Sequence, residues 1–206
     1  MTFAVQNGAD FFVQRLTLAW LAPSMDTSDD SRHEVLFYTS DSVLLETFAC
    51  FVASALKSRN PAIVLATKSH REDLVRRLTT KGCSIDRAIQ RGIYIALDAA
   101  EMLSTIMVNG VPDRLRFFEG LTGLIEVAAK AAKTENPRVA ICGECVGLLC
   151  AEGNVNAAIR LEQVGNDLAQ SNNVEIMCAY PLSGFHEEHA DAHERICVEH
   201  TAVHSR

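Results

Sequence analysis

The residues of this sequence best suited to chemistry stand at the ends of short apolar runs. Tyr38, Thr39, Ser40 and Asp41 close the first run, EVLFYT. Thr67 ends AIVLAT, with His70 just beyond it. Asp98 ends IYIALD, with Glu101 a turn later. Gly143 and Glu144 follow RVAIC, and Tyr180-Pro181 ends VEIMCAY. Carboxylates and an imidazole move protons when they lie within hydrogen-bond reach of a substrate. Tyrosines add apolar faces with polar tips, suited to small, partly apolar molecules. One reading is therefore an enzyme with Glu144 as general base and His70 or a metal nearby, which needs a convergence that spacing does not establish. Asp41 and Asp98 also stand where helix caps are expected, which explains their type without any ligand.

Two further patterns carry chemistry. Cys142-Gly143-Glu144-Cys145 is a C-x-x-C at a strand-to-helix junction. A helix N-terminus lowers a thiol pKa and suits a redox switch; the alternative is two small buried residues that bracket Gly143-Glu144. Near the end of the chain His186, His189, His193, Cys197, His200 and His204 recur at spacings of three or four. On one continuous helix they form a stripe, where neighbours can share a metal, face solvent, or make a pH-responsive contact.

The elements that position these groups follow from periodicity. Glu34–Thr39, Ala62–Thr67, Ile93–Asp98, Arg138–Cys142 and Val174–Tyr180 read as buried strands. Between them, residues 42–57, 69–81, about 112–133 and about 156–170 repeat apolar residues at helical spacing. This alternation predicts a three-layer α/β domain, a mainly parallel sheet with helices on both faces. Ligands in such sheets bind outside the carboxyl ends of the strands. The expected pocket is accordingly lined by Tyr38, Thr67, His70, Asp98, Glu144 and Tyr180. The first strand–helix junction, YTSDSVLL, holds neither the glycines nor the lysine of a phosphate-binding loop, and Asp41 repels phosphate. No ATPase activity is expected.

The 206 residues carry a formal net charge of −7 and seven cysteines. A negative domain of this size is not expected to bind nucleic acid directly. Its densest basic cluster (Arg71, Arg76, Arg77, Lys81, Arg87, Arg91) reads as a solvated helix face. No run approaches a membrane span, and the N-terminus lacks a basic segment before its apolar part. The cysteines read as reduced, buried thiols of a cytoplasmic protein. Residues 1–32 form an N-terminal extension to a domain at 33–206. Its apolar part, which includes Phe11, Phe12, Leu16, Trp20 and Leu21, reads as a docked helix, a loose tail or a partner surface.

HEVLFYTSD, AIVLATKSH, KGCSIDRAIQRGIYIALDAAEML, GVPDRLRFF, GECVGLLCAEGNVNAAIRLE, MCAYP and ICVEH, in that order, resemble the MEDS domain, a sensory module of methanogen and methylotroph regulators. The resemblance covers roughly residues 33–203. It implies a RecA/KaiC-like fold with a degenerate P-loop. It also implies sensing of small molecules such as hydrocarbon derivatives, with output to a separate regulatory protein such as a histidine kinase or transcription regulator. Matching positions are His33, Phe37, Tyr38, Asp41, Thr67, His70, Asp98, Asp113, Gly143, Glu144, Glu162, Asn166, Tyr180, Cys197 and His200. Gly165, where the family has an aromatic, and Cys145, where a larger apolar residue is common, depart from the pattern in ways that reshape a pocket. The resulting expectation is a non-enzymatic sensor without cofactor or metal, open to homo-oligomer formation. Its ligand would be contacted by His33, Tyr38, Asp41, Thr67, His70, Asp98, Glu144 and Tyr180.

Overall fold

Apolar runs become strands in this protein because helices cover both faces of each run. Val35, Leu36 and Phe37 are consecutive and all fully buried, which only a sheet packed on two sides allows. The computed structural model describes residues 32–184 and 190–206. In chain order these form β1 (Arg32–Tyr38), α1 (Asp41–Lys57), β2 (Ala62–Ala66), α2 (Lys68–Thr80), α3 (Ile85–Gln90) and β3 (Tyr94–Asp98). Next come α4 (Ala99–Ile106), a short hairpin β4–β5 (Met107–Val108, Val111–Pro112), α5 (Arg114–Ala132), β6 (Val139–Gly143) and α6 (Cys145–Ala151). The chain continues through α7 (Val155–Ser171), β7 (Val174–Pro181), a 3-10 turn (Leu182–Gly184), α8 (Ala190–Val198) and β8 (Ala202–Ser205).

The main sheet has six strands in the order β3-β2-β6-β7-β1-β8, and every pairing in it is parallel. Helices α1, α2 and α3 pack on one face through residues such as Leu44, Phe48, Leu74 and Ile85. Helices α4 to α8 pack on the other through Leu103, Leu121, Leu149, Leu161 and Ile196. This is the three-layer α/β arrangement expected. All five expected strands are present, with ends displaced by no more than two residues. No helix among the described residues is long and apolar enough to cross a membrane.

Several elements differ from the expectation. The histidine stripe is not one helix. His193 and Cys197 lie on α8, His200 lies past its end, and His204 lies on β8, where its Nε2 is 2.9 Å from Glu34 Oε2. His186 and His189 fall outside the described residues, as do residues 1–31 of the proposed extension. The antiparallel hairpin before α5 was not anticipated. It turns at Asn109 and Gly110, both with positive φ, the pair that a two-residue turn of this hand favours. Helical spacing over residues 112–133 puts Phe118 on the core face of α5, but the buried aromatic there is Phe117, and Phe118 is only partly buried. The basic cluster does lie on solvated helix surface in part. Arg77 and Lys81 reach Glu46 of α1 at 3.3 and 2.5 Å, solvent-screened pairs of the kind that add little to stability.

Candidate functional site

At the carboxyl edge of the sheet, Glu144 links three elements. It stands between β6 and α6, buried, and its backbone N–H donates to Leu65 O at 3.0 Å. One carboxylate oxygen accepts the Thr67 N–H at the start of α2. The other accepts from His70 Nδ1 at 2.7 Å. The far ring nitrogen, Nε2, lies 3.5 Å from Asp41 Oδ2 at the start of α1. Exposure rises along this chain, from 4% for the Glu144 side chain to 15% for His70 and 73% for Asp41. A buried carboxylate is thus connected to a solvent-facing one through an imidazole. Burial raises the pKa of the Tyr38 phenol well above its ordinary range, and the charges of Glu144 and Asp41 add to the effect.

Asp98 is engaged differently. Its side chain caps α4 by accepting from Ala100 N and Glu101 N at 3.0 and 3.2 Å, and Arg71 Nη2 lies 2.8 Å away. The Glu101 backbone bond, with Arg71 and Ala100 behind it, outweighs desolvation and holds the carboxyl below its ordinary pKa. Its role is the helix cap that its type suggested.

His33 and Tyr180 do not join the edge. Tyr180 is in register with Phe37, and Pro181 with Tyr38. Successive strand residues point to opposite faces, so the two tyrosines face opposite sides of the sheet. Tyr38 packs with α1–α3 and Tyr180 with α4–α8. The eight expected contacts therefore divide. Tyr38, Asp41, Thr67, His70 and Glu144 gather at the edge, Asp98 caps a helix nearby through Arg71, and His33 and Tyr180 belong to a second, interior group.

That interior group is built from two periodicities. Strand alternation puts His33 of β1, and Cys178 and Tyr180 of β7, on one face. Helical spacing puts Glu162, Gly165 and Asn166 of α7 opposite them. The Tyr180 hydroxyl donates to Glu162 Oε1 at 2.6 Å. Glu162 Oε2 lies 3.2 Å from His33 Nε2 and 3.3 Å from His200 Nε2. His33 Nε2 is 3.4 Å from Cys178 Sγ, and its Nδ1–H donates to Asn166 Oδ1 at 2.8 Å. His200 Nδ1–H donates to Ile196 O at 2.7 Å. The donor atoms of His33, Glu162, Cys178 and His200 all lie within 4.8 Å of one another.

The electrostatics of this group are set by burial and charge. Burial opposes ionisation of Glu162, but the two histidines outweigh it and hold the carboxyl far below its ordinary range. Burial likewise opposes a charged His33. Glu162 overcomes it, with help from Asn166 and Glu199, so the imidazole pKa is raised. The Cys178 thiol and Tyr180 phenol are pushed well up, by burial first and Glu162 second. Sequence reading named Glu162 and Asn166 only through the family resemblance, named His200 also as part of the terminal histidine stripe, and passed over Cys178. The available signal was an acid and an amide four apart on an apolar helix.

Beside this group lies a partly open cavity of about 40 Å³, between the sheet and α5, α6 and α7. Its walls are mostly apolar, including Leu65, Phe117, Leu121 and Ile141, with Glu162 and Cys178 at one side. Gly165 and Cys145, the two departures from the family pattern, both line it. Helix α6 can sit over this space because Gly147 has no side chain. A Cβ there would come within 2.7 Å of Ala179 O.

Cys142 and Cys145 lie on opposite faces of the sheet, Cys142 with the α1–α3 core and Cys145 with the α4–α8 core. Both are free and buried. Burial, with the Glu144 charge second, pushes the Cys145 thiol up to about 12 and Cys142 higher. Neither has the exposed, electropositive surroundings that a reactive pair requires.

A model of the family described as "MEDS: MEthanogen/methylotroph, DcmR Sensory domain" matches residues 32–196, most of the chain. No curated protein matches it.

Proposed function

This chain belongs to the MEDS family of sensory domains, and we propose on that premise that it is a non-enzymatic cytoplasmic sensor whose ligand is a small, partly apolar molecule held in the cavity beside Glu162 and Cys178. The observation that carries the reading is the cavity itself, apolar on nearly every side, with Glu162 and Cys178 among the residues that line it. About 10–15 Å³ admits one water, so 40 Å³ suits a molecule of only a few heavy atoms. Such a ligand would be selected by shape and apolar contact.

The edge group supplies an output. Gly143 and Cys145 line the cavity, and Glu144 between them binds Thr67 and His70. A ligand that shifts the start of α6 would move the Glu144 carboxylate, and through His70 the exposed Asp41. The expected receiver is a regulatory protein such as a histidine kinase or transcription regulator. We read the fold as RecA/KaiC-like with a degenerate P-loop, because the β1–α1 junction from Tyr38 to Leu44 has no glycine or lysine.

The test is a thermal-shift screen of small organic molecules against the parent, Cys145→Leu and Asp41→Asn. Filling the cavity with leucine abolishes the shift, and the exposed Asp41→Asn change leaves it intact. Equal shifts in the parent and Cys145→Leu place the ligand elsewhere. A second reading, an enzyme with His70 as general base oriented by Glu144, is favoured by their 2.7 Å contact. It requires turnover of some substrate that His70→Gln abolishes.

A further inference from the structure

We propose that His33, Glu162, Cys178 and His200 form a closed binding site for one transition-metal dication, zinc by preference. The proposal does not depend on the cavity's ligand.

The first argument is geometric. A tetrahedral zinc with bonds of about 2.0–2.3 Å places its donor atoms about 3.3–3.6 Å apart. The pairs His33 Nε2–Glu162 Oε2, His200 Nε2–Glu162 Oε2 and His33 Nε2–Cys178 Sγ measure 3.2, 3.3 and 3.4 Å. Three of the six donor–donor distances thus match the edges of one coordination tetrahedron, and all four donors, from β1, α7, β7 and the turn after α8, lie within 4.8 Å of one another.

The second argument concerns what holds the donors. Metal-bound histidines donate the other ring N–H to an oxygen, which leaves the ligating nitrogen with its lone pair inward. Both histidines do this, His33 Nδ1 to Asn166 Oδ1 and His200 Nδ1 to Ile196 O. Asn166 is itself held by Glu199 Oε2 at 2.8 Å. The second oxygen of Glu162 is bound by the Tyr180 hydroxyl. Each of these three ligands is oriented from behind by a group that does not itself enter the site.

The third argument is an unsatisfied pair. Glu162 Oε2 and His200 Nε2 are fully buried, and among the described residues neither has a partner in a hydrogen bond of acceptable geometry, although they are 3.3 Å apart. Buried polar atoms without such bonds are rare and costly. A cation between them satisfies both. The charge also closes, since one carboxylate and one thiolate neutralise a dication while both imidazoles stay neutral. On binding, the Cys178 S–H bond breaks, its proton leaves to solvent, and the sulfur pair forms the metal bond. Any proton on an imidazole Nε2 leaves likewise. A thiolate with two imidazoles selects zinc, cobalt or similar ions over magnesium or calcium. Four protein ligands leave no open position, which marks a structural site.

The experiment uses the full chain. Dialysed against zinc and desalted, it retains about one zinc per chain by elemental mass spectrometry. With cobalt in its place, the protein shows tetrahedral visible bands and a near-ultraviolet thiolate-to-cobalt band. Cys178→Ser removes the thiolate band, and His200→Asn lowers zinc retention, with circular dichroism confirming that both variants are folded. The wild-type measurements stand whether or not the variants fold. A wild-type chain that retains no zinc, or whose cobalt spectrum lacks the thiolate band, overturns the proposal. So does retention that is unchanged in the folded Cys178→Ser/His200→Asn double variant.

Discussion

His33 and Gly165 are packed so closely that a Cβ on Gly165 would fall 2.9 Å from the His33 ring. The missing side chain lets β1 and α7 approach far enough for His33 to meet Glu162. The imidazole is held by Asn166 and fully buried, so it has little room to yield. Overpacking at Gly165→Ala is expected to cost roughly 1–3 kcal/mol. Alanine's gain of about 1 kcal/mol in a helix interior offsets part of this and leaves an expected net loss of up to about 2 kcal/mol. Urea denaturation measures it, and a variant as stable as the parent shows that the ring moves freely.

Tyr180→Phe removes the hydroxyl that donates to Glu162 Oε1 and changes little else in shape. It leaves a buried carboxylate oxygen short of a donor, expected to cost about 1–3 kcal/mol. Unfolding of Tyr180→Phe beside the parent tests this. No loss means that the oxygen finds another partner.

Glu144 and His70 are expected to act as a unit. A double-mutant cycle with Glu144→Gln and His70→Gln should give a coupling of about 0.5–3 kcal/mol, because their contact is 2.7 Å and largely buried. Asp41→Asn, at the exposed end, should change stability by less than about 0.5 kcal/mol. Additive effects at Glu144 and His70 would show that the edge chain carries no coupling.

Acid should weaken the cap at Asp98. Its folded pKa lies below the unfolded value, chiefly through the Glu101 N–H and then Arg71. A depressed carboxyl stabilises the fold at pH values above the unfolded pKa and loses that stabilisation as pH falls through the folded one. Denaturation between neutral and strongly acidic pH is expected to show a smaller acid-side loss for Asp98→Asn than for the parent. Identical slopes would mean that Asp98 titrates alike in both states.

Thiol labelling separates the cysteines. Cys50 is exposed, whereas Cys142 and Cys145 are buried with raised pKa values. Mild alkylation of the folded protein should modify Cys50 first and leave the other two intact, as peptide mass spectrometry reads. Oxidant should not join Cys142 to Cys145 across the sheet. Their appearance in one disulfide under native conditions restores the redox reading.

The local pattern of residues decided the elements. Apolar runs of strand length between amphipathic helices required a parallel, doubly covered sheet, and the order of motifs carried the family. Even the unanticipated hairpin was legible, in Asn109-Gly110 between two valines. The tertiary structure alone decided which side chains meet. Periodicity shows that Tyr38 and Phe37 face opposite ways, but not that β7 lies beside β1 with Tyr180 in register with Phe37. Glu144 and His70 are 74 residues apart, and His33 meets Thr201 across 168. Such meetings depend on strand order and on how far α7 can approach the sheet, a distance set at Gly165. Spacing along a chain repeats every two or 3.6 residues and encodes only the face on which a residue lies. Partners across the sheet are chosen by global packing.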